Sequence, residues 1–171
     1  MKNKIIKSIT LIIITNLLAN SMLAKAYTLN GYKFSSPGSI SYSVEKGLEN
    51  YNIDTYIKKW CNASNKIGFK KTVNNDKCSI PFYGINIDNG TYGVTRHKSN
   101  NFHSITFFKA FYNASVAIRN EVIVHEVGHT LGLSHPSIIV KPEKSVMRAT
   151  GFNGKAYPLS DDIAGIKKLY N

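Results

Sequence analysis

His125-Glu126-Val127-Gly128-His129-Thr130-Leu131-Gly132-Leu133-Ser134-His135 decides how this 171-residue chain is read. His125 and His129 are four residues apart, so on a helix they stack on one face, where both imidazoles reach a single ion. Val122, Ile123, Val124, Val127 and Leu131 give that helix apolar surface to bury. Gly132 lets it stop through a backbone conformation costly for other residues. The chain can then turn and present His135 to the same ion. Three neutral histidines with an open fourth position make a catalytic zinc site rather than a closed structural one, so one zinc ion is the expected cofactor. Glu126, beside the first ligand, is the expected catalytic residue. It is placed to take a proton from a zinc-activated water and to hand it to the leaving amine. The chemistry indicated is peptide-bond hydrolysis.

Working outward, Ile40-Ser41-Tyr42-Ser43-Val44 alternates apolar and polar residues as a half-buried strand does. Leu48, Tyr51, Ile53, Ile57 and Trp60 fall near helical spacing, which predicts a helix over much of Glu45 to Trp60. Short strands are expected at Phe69 to Val73, Ile80 to Ile87, Tyr92 to Thr95 and Ser104 to Phe108, with a turn at Asp88-Asn89-Gly90. Ser115 is the expected N-cap of the long helix that ends at Gly132. A last helix starts at Leu159-Ser160-Asp161 and puts Ile163, Ile166 and Leu169 on one face. Strands first, with one helix inserted early and helices late, make the fold class α+β.

The spacing His125-Glu126-x-x-His129-x-x-Gly132-x-x-His135 resembles the zinc signature of the metzincin metalloproteases. The full wording of the stretch is similar to the matrixin branch. Met147, in Ser145-Val146-Met147, matches the methionine turn that metzincins place below the zinc. Leu159 to Tyr170 resembles the last helix of the matrixin catalytic domain, where paired aspartates anchor the helix near that turn and can receive the mature N-terminus. Carried over, Gly132, Asp161 and Asp162 are structural supports. The resemblance implies a twisted mixed sheet with two long helices, plus a small C-terminal subdomain ending in a helix. It also implies a protein or peptide substrate bound in extended form along the sheet edge. The chain departs from the family in its loops. Where the family's structural-zinc loop carries an acid and several histidines, this chain offers only His97 and His103, which are read as surface histidines. Neither a second zinc nor a calcium ion is expected. The segment from Arg148 to Tyr157 lacks the family's proline-tyrosine wall, and leaves Gly151, Phe152 and Tyr157 as candidate lining of a specificity pocket.

The N-terminus reads as a secretory signal peptide over residues 1–26. Lys2, Lys4 and Lys7 precede an apolar run from Ile9 to Leu18, and Ala24-Lys25-Ala26 offers small residues for cleavage. The peptidase domain is then 27–171, secreted or extracytoplasmic. No room is expected for a pro-segment, since the first strand follows closely. The signal segment removes four lysines, leaving 18 basic residues against 10 acids. No basic run exceeds two residues and no nucleic-acid motif is present, so no nucleic-acid partner is expected. No transmembrane anchor is expected in the mature chain, and a monomer is. Export favours a disulfide between Cys61 and Cys78. The rival reading is a non-catalytic secreted module, stapled by zinc, that holds a protein partner. Glu126 and Gly132 count against it, because a staple needs neither.

Overall fold

The computed structural model describes residues 27–73, 77–136, 141 and 143–171. The signal segment expected over 1–26 lies outside the described residues. Strands β1 (Thr28–Leu29), β2 (Ile40–Val44), β3 (Phe69–Lys71), β4 (Ile80–Gly84), β5 (Gly93–Ser99), β6 (Phe102–Phe107) and β7 (Leu133–Ser134) alternate with helices α1 (Ile53–Ile57), α2 (Lys109–Asn113), α3 (Val116–Thr130) and α4 (Ser160–Tyr170). Five strands form one mixed sheet in the order β3-β2-β4-β6-β5. Its β2–β3, β2–β4 and β4–β6 pairs are parallel, and the β5–β6 pair is antiparallel. β5 is therefore an edge strand. The other two strands, β1 and β7, form a separate antiparallel ladder that ties the described N-terminal end to the turn after α3. This is the expected α+β class. Among the described residues no helix is long and apolar enough to cross a membrane.

The core lies between the sheet and α3. Trp60, Tyr42, Phe82, Phe107, Phe111, Ile123 and Leu131 are fully buried. Burying a large apolar side chain contributes about 1.5–3 kcal/mol, so this layer supplies most of what holds α3 to the sheet. Phe107 and Phe111 stack with ring centroids 4.1 Å apart, which links β6 to α2. The Trp60 indole N–H donates to the Val124 carbonyl at 3.0 Å, fixing α3 laterally just before the first histidine. α3 starts as its sequence predicts, with the Ser115 hydroxyl accepting from the Ile118 amide at 3.3 Å.

The early helix differs from expectation. Leu48, Ile53, Ile57 and Trp60 are buried, as their spacing requires. The backbone between them is nonetheless a 3-10 turn (Glu49–Tyr51), the short α1, and a second 3-10 stretch (Lys58–Asn62). Asn52 causes the break. It takes a left-handed conformation with φ 56°, which asparagine tolerates better than most residues.

The Cys61–Cys78 bridge is not formed. The Cys78 sulfur lies 3.0 Å from the Ser43 hydroxyl. Strand alternation puts Ser43 on the sheet face opposite Tyr42. Cys61 follows Trp60 in the helical layer on the Tyr42 side. The sheet separates the two thiols, which sequence distance alone could not show.

Candidate metal centre

α3 presents His125 and His129 one turn apart, and the chain then reverses at Gly132, whose φ is +103°. An added Cβ at Gly132 would run into the Tyr32 carbonyl and come within 2.9 Å of the Leu169 side chain, so the position needs both the conformation and the space. β7 follows at once, and His135 returns to face the helix. The three Nε2 atoms form a triangle with edges of 3.1, 3.1 and 3.2 Å. Tetrahedral zinc with Zn–N bonds of about 2.0–2.1 Å requires edges near 3.3 Å, so the donor set fits that ion. Among the described residues this is the only group of three or more His, Cys, Asp or Glu side chains disposed to share a metal.

The orientation of each ring is set by its other nitrogen. His125 Nδ1 donates to the Val146 carbonyl at 2.8 Å, and His129 Nδ1 donates to the Leu133 carbonyl at 2.9 Å. Both Nε2 lone pairs are thereby left for a metal. Burial pushes the pKa of His125 and of His129 down to about 4, so at neutral pH both are in the uncharged, ligating form.

Glu126 is buried. Burial raises its pKa, against the lowering effect of His129 and of its bond from Thr95. The Thr95 hydroxyl on β5 lies 2.7 Å from Glu126 Oε2 and 2.9 Å from the Glu126 carbonyl, and donates its one proton there. Gly93 packs against the same side chain, where a Cβ would sit 3.0 Å from Glu126 Cγ. The edge strand thus holds the carboxylate from above. Below, Met147 reaches the underside of α3 at Gly128. A Cβ on Gly128 would collide with the Met147 sulfur and come within 2.7 Å of the Trp60 ring. Asp162 fixes the turn that carries Met147. Its carboxylate accepts from the Ser145 hydroxyl at 2.6 Å and from the Val146 and Leu159 amides, both at 2.8 Å. The Leu159 bond also makes it the residue that reaches back over the start of α4. Asp161 supports the same junction through its backbone, its amide donating to the Lys144 carbonyl at 3.0 Å.

The histidines open into a cleft of about 770 Å³, with β5 on one side and the segment after Met147 on the other. Gly151 and Phe152 line it, while Tyr157 faces a separate small recess beside Lys59 and Asn62. Phe152 meets Tyr92 edge-to-face, with ring centroids 5.2 Å apart.

A family model described as matrixin, of the M10 peptidases, matches residues 32–171. The chain belongs to the matrixins. No curated protein sequence matches it. Among solved structures, the GM1-bound form of the ECX AB5 holotoxin is similar at TM-score 0.61 and 13% identity, covering 85% of this chain and 88% of that one. Myroilysin is similar at TM-score 0.59 and 14% identity, covering 82% of this chain and 86% of its own. A second myroilysin structure matches at TM-score 0.50 and 17% identity, over 64% of this chain and 54% of that one. At these identities the likeness is one of fold.

Measured against the matrixin pattern, His97 and His103 need correcting. They are not surface histidines: His103 is fully buried, His97 is half-buried, and their Nδ1 atoms are 2.9 Å apart. Tyr32 stacks on His97 at 4.3 Å, and Phe34 meets His103 edge-on at 4.9 Å. The Asn100 carbonyl, 3.2 Å from His103 Nε2, requires a proton there. Neutral His103 therefore accepts at Nδ1 from His97 Nδ1–H, and His97 Nε2 is left facing the Asn30 amide at 3.4 Å. Burial, chiefly, holds the His103 pKa down at about 4. A histidine depressed in the folded state binds fewer protons there than when unfolded. The stability it contributes is present above pH 6.5 and is lost as pH falls from 6.5 to 4. The expected loss is about 3 kcal/mol. Urea unfolding at pH 7 and pH 4 should show a pH slope smaller by about this amount in His103→Phe. An equal slope in both proteins would contradict it.

Asn30, which no sequence motif signalled, links this pair to the three converging histidines. Its amide donates to the His129 carbonyl at 2.9 Å and the Leu133 carbonyl at 3.2 Å, while its Oδ1 accepts from the Tyr32 amide at 3.0 Å. It clamps the turn between the second and third histidines. Asn30→Ala is expected to weaken zinc binding by about 10–100-fold, as loss of an outer-shell support does, measured by competition with a chromophoric chelator. Unchanged affinity would make Asn30 only a stitch between β1 and β7.

Proposed function

We propose that this protein is a secreted zinc-dependent endopeptidase. The single observation that carries the reading is the convergence of His125, His129 and His135 Nε2 atoms within 3.2 Å of one another, with Glu126 lining the same open cleft. Membership of the matrixins supports it. Zinc, when bound, supplies a Lewis acid that polarises a carbonyl and makes water acidic enough to attack at neutral pH.

The chain's own groups supply the rest. Val146 and Leu133 hold two imidazoles neutral and aimed. Thr95 and Gly93 confine the Glu126 side chain to the cleft wall. A carboxylate whose pKa is raised by burial is a stronger base than one in water, so Glu126 takes a proton from the attacking water and returns it to the departing amine. β5 leaves an edge facing the cleft, with Gly93, Val94 and Thr95 along it, and an extended peptide can add there as one more strand. Such pairing reads backbone, so any preference among substrates comes from pockets beside it.

The test is metal analysis combined with cleavage of a degenerate peptide library. The purified protein should hold one zinc per chain through dialysis, cut the library, lose that activity to a chelator and regain it with added zinc. Absence of bound zinc, or cleavage indifferent to chelation, would defeat the reading.

A further inference from the structure

The chain carries only 10 acidic residues against 22 basic ones, yet two of those acids line the same cleft. One is Glu126. The other is Glu121, one helical turn ahead of His125 and also buried. Its Oε1 accepts from the Asn153 amide at 3.0 Å. Its Oε2 accepts from the Asn153 amide at 3.1 Å and the Gly154 amide at 2.8 Å. Two N–H groups thus face two oxygens that together offer about four acceptor sites. No cationic side chain lies within 4.0 Å of this carboxylate among the described residues. Arg148 lines the cleft too, but its guanidinium donates to the Thr150 carbonyl at 2.8 Å. A buried carboxylate compensated only by amide dipoles gains from a cation that can reach it.

Resting on the peptidase reading above, we propose that Glu121 is a specificity determinant that makes the recess between α3 and the segment 148–154 select a lysine or arginine side chain next to the scissile bond. Several features of this recess favour a long cationic chain over an apolar one. Its acid lies at the wall rather than in open solvent, so the side chain must reach in before it is neutralised. The apolar stem of lysine or arginine can lie against Val122 and Phe152, which line the same cleft, while the head meets the carboxylate. An apolar side chain of equal length would fill the recess but leave the carboxylate without a cation, and an acidic one would meet like charge.

The experiment compares matched peptides that differ only beside the scissile bond, carrying arginine, lysine, leucine or glutamate there. It uses the wild-type protein and Glu121→Gln, which keeps an acceptor for the loop amides while removing the charge. The wild type should favour arginine and lysine over leucine by about 30-fold or more in kcat/KM, the scale expected when a buried charge gains or loses its partner. In Glu121→Gln that ratio should fall to near one, mainly through loss on the basic peptides. Thermal unfolding and zinc content of the variant show that the fold is intact. The same peptides, titrated into zinc-loaded Glu126→Ala protein, report the recess without turnover. Preferential binding of basic peptides, together with a wild type that cuts none of them, would support the recess and defeat the peptidase reading. Cleavage or binding with no basic preference, or a preference that survives Glu121→Gln, would overturn this inference alone.

Discussion

Glu126→Gln is expected to lower kcat by about a thousandfold, within the range attributed to a positioned general base, while the zinc stays bound. The substitution keeps shape and volume. Its amide oxygen can still accept from Thr95, which lies 2.7 Å from the carboxylate in the native protein. The three Nε2 donors are untouched, and their orientation depends on the Val146 and Leu133 carbonyls rather than on Glu126. What disappears is the basic oxygen, since a carboxamide does not take a proton at neutral pH. The measurement is kcat and KM on one peptide beside zinc content on the same sample. KM should change little, since in the proposed mode extended substrate pairs with the β5 edge and not with Glu126. A variant that keeps full turnover would remove Glu126 from the chemistry. One that loses zinc would make it a support of the metal site instead.

Gly132→Ala is expected to destabilise the fold by about 3 kcal/mol or more, combining a strained backbone with overpacking. The φ of +103° is one that side-chain-bearing residues rarely adopt. Relief by small movement is blocked, because the added methyl would meet the Tyr32 carbonyl and the end of Leu169 together. The Tyr32 segment is itself held by Asn30, which bonds to both sides of the same turn. Any backbone shift that spares the methyl therefore displaces Leu133 and His135. Chemical denaturation should show the lost stability, and zinc affinity should fall with it. A variant as stable as wild type would mean that the turn has slack this packing does not suggest.

Much of the site could be read along the chain. The four-residue step between His125 and His129 needs only helical geometry to bring two rings together. Gly132 marks a reversal through its missing Cβ, and Ser115 marks a helix start through its hydroxyl. These are local rules, each satisfied within a few residues, and α3 obeys them from its cap to its end. The placement of Met147 and Asp162 followed from family resemblance, and their packing against Gly128 and Ser145 explains why those residue types stand there. The early helix shows the limit of periodicity. Leu48, Ile53, Ile57 and Trp60 are buried as their spacing demands, but burial constrains side chains, and Asn52 was free to break the backbone between them.

The sequence by itself determined which three histidines come together, which carboxylate stands beside them, and that strands precede the helix carrying both. Only the tertiary structure decided what surrounds them. It brought Asn30 onto the His129 carbonyl from 99 positions away, Thr95 onto Glu126 from 31, and Glu121 onto the Asn153 amide from 32. It buried the His97–His103 pair and left the two cysteines on different sides of the sheet. Spacing along a chain encodes contacts made within a turn or two of helix or strand. Contacts between distant segments depend on how sheet and helix stack, which is fixed by the sum of the buried surface and is written in no single motif.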